Sequence, residues 1–181
     1  TGFGADAFFA AFRIPNLFRD FVGEGAVNSA VVPIFSEYYE KKERESFFEF
    51  INIVFSLAFI ILSAITLAGI ILAPVIVRVL VPGFISDPQK LLTTINLTGI
   101  MFPYLIFIGL TAYCMGVLFT FRSFFTPAFS PCFLNIAIIM SALFFSKGRV
   151  EPVFALSIGV LFGGILQLSF QIPAVLRTGF R

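Results

Sequence analysis

The chain has 181 residues, 59% of them hydrophobic, with 12 Lys and Arg against 10 Asp and Glu and no histidine. At a mean hydropathy of +1.01 it lacks the charge that a water-soluble domain needs to cover its surface, so the bilayer is its expected solvent. A net charge of +2 without a long basic cluster excludes a nucleic-acid partner, and the missing histidine removes the commonest metal ligand and the usual acid–base group.

In chain order, Gly2 and Gly4 predict a short turn with Asp6 as the N-cap of a first helix. "DAFFAAFRIPNLFRDFVGEGAVNSAVVPIFSEY" follows, and it predicts a span over about 5–35 that carries Asp6, Arg13, Arg19, Asp20 and Glu24. Pro15, Gly23, Gly25 and Pro33 predict kinks or breaks in it, because proline removes a backbone donor and displaces the carbonyl one turn back. "SEYYEKKERES", residues 36–46, reads as a hydrophilic loop. Four charge-free runs come next, 50–77, 91–121, 123–146 and 153–176. Each exceeds the roughly 20 residues that cross a bilayer core, where only a helix satisfies the backbone without partners. "VPGFISDPQK" (81–90), "FRSFFTP" (121–127) and "SKGRVEP" (146–152) connect them. The expectation is an all-α, polytopic membrane bundle of five spans forming one domain over 1–181. The start at Thr1 and the end at Arg181 read as the cut ends of a piece of a longer chain.

Lys41, Lys42, Arg44, Arg122, Arg177 and Arg181 fall at one end of such a bundle. Lys90, Lys147 and Arg149, with Arg78 near a helix end, fall at the other. This excess of basic residues places the 36–47 loop in the cytoplasm.

On an ideal helical wheel Asp6, Arg13, Asp20 and Glu24 lie within about 40° of one another, while Arg19 sits roughly 100° from Asp20 with Asn16 between. A break at Pro15 would account for that offset. A lone charge at the bilayer centre costs about 2.5–3.5 kcal/mol on insertion scales, so these groups face other helices or water. Three arrangements answer that need. Arg13 could pair with Asp20 or Asp6; Asp6 and Glu37 could reach the headgroups; or the charges could line a wet path for an ion or polar substrate. Guanidinium forks in such a chamber suit phosphate oxygens.

The stretch "GFGADAFFAAFRIPNLFRDFVGEGAVNSAVVPIFSEY" resembles the signature region of the MurJ (MviN) lipid II flippases. The resemblance continues through "APVIVRVLVPGF", "FPYLIFIGLTAYCMGVLFTFRSFFTPAFSPCFLNI" and "GGILQLSFQIP" to cover essentially the whole chain. It implies membership of the multidrug/oligosaccharidyl-lipid/polysaccharide exporter superfamily, with about fourteen helices in two lobes around a cationic cavity. It also implies translocation of the undecaprenyl-diphosphate-linked peptidoglycan precursor, lipid II, across the bacterial cytoplasmic membrane by alternating access. This chain would supply helices two to six of the first lobe, without helix one and the C-terminal lobe. By the resemblance, Asp6 is the acidic residue that opens helix two and Arg19 in "PNLFRD" is the cavity arginine that contacts the diphosphate. Glu24 in "GEGA" lies near the gate between lobes, Arg13 falls where relatives carry Lys or Arg, and Asn16 lines the same cavity. Asp20 departs from the pattern: a second basic residue is common there, so Asp20 either lowers the positive charge of the cavity or pairs with Arg13.

The remaining signals are structural. Pro103 in "MFPYL" predicts a bent helix, and Gly109, Ala112, Gly116, Gly159, Gly163 and Gly164 predict close helix packing. Cys114 and Cys132 read as small core residues, neither disulfide nor metal pair. Asn135 and Gln167 are expected to bond across to neighbouring helices, Arg122 to anchor at the interface or meet a lipid headgroup, and the 27 phenylalanines to supply lipid-facing and core bulk. No cofactor and no metal is called for. The partners expected are lipid II, membrane lipids and the rest of the same protein. Two other functions compete: export of another polyprenyl-linked glycan or of cationic drugs, and a non-transporting scaffold for wall-synthesis enzymes. An enzyme is disfavoured because no nucleophile–base or metal constellation appears.

Overall fold

A computed structural model describes residues 2–20, 29–145 and 152–180, and leaves undescribed the side chains of Phe3, Ile14, Phe18, Arg19, Asp20 and Phe145. The described residues are helical with short connections and contain no strand. The helices are α1 (Phe3–Asp20), α2 (Val32–Lys41), α3 (Arg44–Leu80), α4 (Pro88–Met101), α5 (Tyr104–Thr120), α6 (Phe125–Phe145) and α7 (Pro152–Arg177), with a 3₁₀ turn at Pro82–Phe84. Among the described residues four stretches are long and apolar enough to cross a membrane: α3, α4 and α5 taken together (Pro88–Thr120), Phe125–Phe144 of α6, and α7.

The α4–α5 unit runs through the middle of the bundle, with α7, α3, α2 and α1 packed around it. Pro103 sits at the joint between α4 and α5, where its missing N–H cannot bond back to the preceding turn. The Phe102 ring then packs so tightly on α3 that a Cβ on Gly69 would lie 2.0 Å from it. By contrast α3 is an apolar rod of about 55 Å at 1.5 Å per residue, longer than the roughly 30 Å hydrocarbon core. Its Ile53, Leu57, Ile60, Leu67, Ile71 and Val79 are exposed, as side chains facing lipid should be.

Several local features differ from the sequence expectation. Residues 36–46 are almost entirely helical: α2 extends to Lys41, α3 begins at Arg44, and only Lys42 and Glu43 turn the chain. Stacking of Tyr38 on Phe50, with ring centroids 4.4 Å apart, joins the two arms. Pro15 does not break α1, which continues as helix to Asp20 with the Pro15 ring buried. At Pro33, in the first turn of α2, the helix is irregular as expected, for a π-helical turn at residues 29–31 runs directly into it. Asp6 is not an N-cap, for the helix already begins at Phe3 and the Asp6 N–H donates to the Gly2 carbonyl at 3.3 Å. Cys132 is exposed on α6, whereas Cys114 is buried as expected. Asn135 is exposed and bonds to no neighbouring helix among the described residues. Gln167 is buried, but its Oε1 meets no donor; the bond across that seam runs from the Ser130 hydroxyl to the Gln167 backbone carbonyl at 3.4 Å.

The connections fall at two ends of the bundle. Gly2, the 81–87 turn and the start of α7 share one end, where Gly4 packs on Val153. At the other end Arg44 Nη2 donates to the Thr178 carbonyl at 2.9 Å, tying the start of α3 to the end of α7. That second end also holds the corner after α5, where Arg122 adopts a left-handed conformation (φ 55°). Its N–H bonds to the Phe119 carbonyl and that of Ser123 to the Leu118 carbonyl, a pattern usually completed by glycine.

Candidate functional site on the charged helix

Helix α1 has two unlike faces. Ala7, Phe8, Ala11 and Pro15 are buried, the first three in a cluster with Leu97 and Met101 of α4 and Leu105 and Ile108 of α5. Phe9, Arg13 and Leu17, each one turn from the next, are exposed. The helix is therefore pressed on the bundle along its small-residue side and presents a guanidinium, flanked by two apolar side chains, on the other. Asn16 and Phe12 lie at the boundary, half-buried.

The sequence-predicted site residues are placed as follows. Asp6, half-buried in the first turn, accepts a charge-assisted hydrogen bond from Lys90 Nζ at 2.8 Å, so it does not pair with Arg13. Arg13, exposed, and Asn16, half-buried, lie in the C-terminal half of the same helix. Arg19 and Asp20 end α1, with side chains outside the described residues, and Glu24 lies outside them altogether. Glu37, midway along α2, is exposed and accepts from Lys41 Nζ at 2.6 Å. That hydrogen bond and charge hold the Glu37 carboxyl below its ordinary range.

Sequence reasoning did not find Lys90. A signal was available, because counting spans puts Lys90 at the same end of the bundle as Asp6. The distance along the chain, 84 residues, hid the pairing.

Among the described residues no group of three or more His, Cys, Asp or Glu is arranged to hold a metal. The arrangement can bind by charge and shape: a helix with an exposed guanidinium on its open face, backed by an apolar bundle. Comparison with known proteins gives the family. The family model described as "Lipid II flippase MurJ" matches residues 1–181. The chain belongs to the MurJ family.

Among its MurJ relatives, the probable lipid II flippase of Buchnera aphidicola subsp. Acyrthosiphon pisum is 37% identical over 168 residues, covering 93% of this chain and 33% of the relative. The lipid II flippase MurJ of Burkholderia cenocepacia is 39% identical over 176 residues, covering 96% of this chain and 34% of the relative. A solved structure of lipid II flippase MurJ in an inward closed conformation superposes with a TM-score of 0.83 at 29% identity, over 98% of this chain and 36% of that one. The chain thus spans about a third of the length of the MurJ proteins it matches. Membership of this family and the four apolar helical stretches make it a multi-pass bacterial membrane protein.

Proposed function

We propose that these residues form helices two to six of the first lobe of a lipid II flippase, and that α1 lines the chamber through which the lipid-linked diphosphate head crosses the membrane. The observation that carries this reading is the exposed Arg13, set in a helix whose opposite face is buried against α4 and α5. A guanidinium facing acyl chains would be costly, so it faces water or the remainder of the protein. Arg13 and Arg19 attract the diphosphate, Asn16 supplies a polar contact beside them, and Asp20 and Glu24 limit the positive charge so that the substrate can leave. Asp6 holds the helix in place. The lipid tail stays in the bilayer while two lobes alternate around the site, without covalent chemistry. The end of the bundle that carries Lys41, Lys42, Arg44 and Arg122 faces the cytoplasm.

Arg19→Ala in the complete protein is expected to abolish rescue of a flippase-depleted bacterium, and Arg13→Ala to weaken it, both at wild-type membrane levels. Growth at the wild-type rate with Arg19→Ala sinks this account of α1.

A further inference from the structure

Among the described residues, one ion pair joins two separate helices, and its basic member has no part in the cavity just proposed. Lys90 Nζ lies 2.8 Å from Asp6 Oδ2 and 4.4 Å from the centroid of the Phe84 ring. The Lys90 side chain is 18% exposed, and its backbone is fixed as well. Its N–H donates to Asp87 Oδ1 at 3.1 Å, which caps α4, and its carbonyl accepts from the Thr94 hydroxyl at 2.8 Å. A lysine held by an aromatic face, a helix cap and a carboxylate is a rigid post rather than a solvated surface cation.

We propose that Lys90 is a positioning residue for the charged helix α1: its bond to Asp6 sets the axial register of α1 on α4, and with it the height of Arg13 in the bundle. The rest of the seam cannot set that height as sharply. Ala7 and Ala11 are fully buried and one turn apart, so a slide of about 6 Å, four residues at 1.5 Å each, puts one alanine where the other stood. Burial of Phe8 and Pro15 on the same face resists such a slide only by shape, because apolar burial has no direction, whereas the ion pair adds a directional contact. The neighbouring contact, Gly4 against Val153, is apolar too. The charge-assisted bond exists at one register alone. The consequence for transport rests on the flippase reading above; the register itself does not.

The experiment uses the complete protein with Cys114 and Cys132 replaced and spin labels at Phe9 and Glu45. Both are exposed, and they stand towards opposite ends of the bundle, so the distance between them is largely axial. Lys90→Asp is expected to broaden or shift that distance by several Å, up to the roughly 6 Å of a four-residue slide. The charge swap, Asp6→Lys with Lys90→Asp, is expected to restore the wild-type distribution, and Lys90→Arg to keep it. A distribution unchanged in Lys90→Asp, or one that the swap fails to restore, overturns the proposal. Should Lys90→Asp not fold, Lys90→Met, which keeps the stem over Phe84 and removes the charge, gives the same reading. Rescue of a flippase-depleted bacterium is scored in parallel, with loss expected in Lys90→Asp and recovery in the swap. A shifted distance with full rescue leaves the register assignment standing and counts against the flippase role of Arg13.

Discussion

The α6–α7 seam and the α1–α4 seam are built from different materials. Along α6–α7 the backbones approach closely at glycines: a Cβ on Gly163 would stand 2.9 Å from Leu134 Cα, and one on Gly159 would stand 3.2 Å from the Ala137 carbonyl oxygen. The Ser141 hydroxyl donates to the Ala155 carbonyl across the same seam, and no charged side chain takes part. Lipid tails are as apolar as leucine, so close packing and polar bonds hold membrane helices together where the hydrophobic effect cannot. The α1–α4 seam has alanines and a phenylalanine in the middle and an ion pair at one end. A permanent frame is made by shape. The helix that carries Asp6 and Arg13 is tied at one end by charge.

The largest effect that would break this comparison is at Gly163. Gly163→Val puts a branched side chain against Leu134 backbone, and overpacking of this kind costs about 1–3 kcal/mol. Thermal unfolding in detergent should show a clear drop in midpoint, with no drop for Gly99→Ala, whose Cβ would meet nothing within 4 Å. Equal midpoints for the two variants would mean that the glycine seam is not what holds α6 to α7. A smaller effect of opposite sign is expected at the corner after α5. Arg122 holds a left-handed backbone that disfavours a side chain by roughly 1–2 kcal/mol, so Arg122→Gly should raise the midpoint, less the greater freedom of glycine in the unfolded chain. An unchanged or lowered midpoint would mean that the Arg122 side chain repays the strain, as a headgroup contact would.

The contrast between the seams also explains what was legible in the sequence. Charge-free runs announce helices because lipid permits little else, and the family follows from motifs spread over the whole chain. The glycine seam was visible as well, since Gly159 and Gly163 recur one turn apart and both pack closely on α6, while Gly164 packs on Tyr104 and Phe107 of α5. What stayed hidden depends on tertiary neighbours. Asp6 looked like a cap because local pattern offers an acidic residue after two glycines, and nothing local reveals a lysine 84 residues away. Pro15 looked like a break, yet α1 accommodates it beside two buried alanines. Residues 36–46 looked like a loop from polarity alone, although the aromatic stacking of Tyr38 on Phe50 makes a helical hairpin of them.

The smallest expected effect separates the two ion pairs. Glu37–Lys41 is shorter than Asp6–Lys90, 2.6 Å against 2.8 Å, but both of its side chains are more than 60% exposed and both lie on α2. Its carboxyl is held below the ordinary glutamate value, so any stability it lends is present above that value and is lost as the pH falls through the lower, folded one. Water and salt screen such a pair, and joining two residues of one helix constrains no tertiary contact. Glu37→Gln should therefore unfold with the wild-type midpoint at neutral and at acid pH. In the same full-length background, Asp6→Asn should alter the α1 register measured between Phe9 and Glu45, and Glu37→Gln should not. If Glu37→Gln moves that distance as much as Asp6→Asn does, loss of charge anywhere disturbs the bundle, and what the Asp6 pair connects no longer explains its effect.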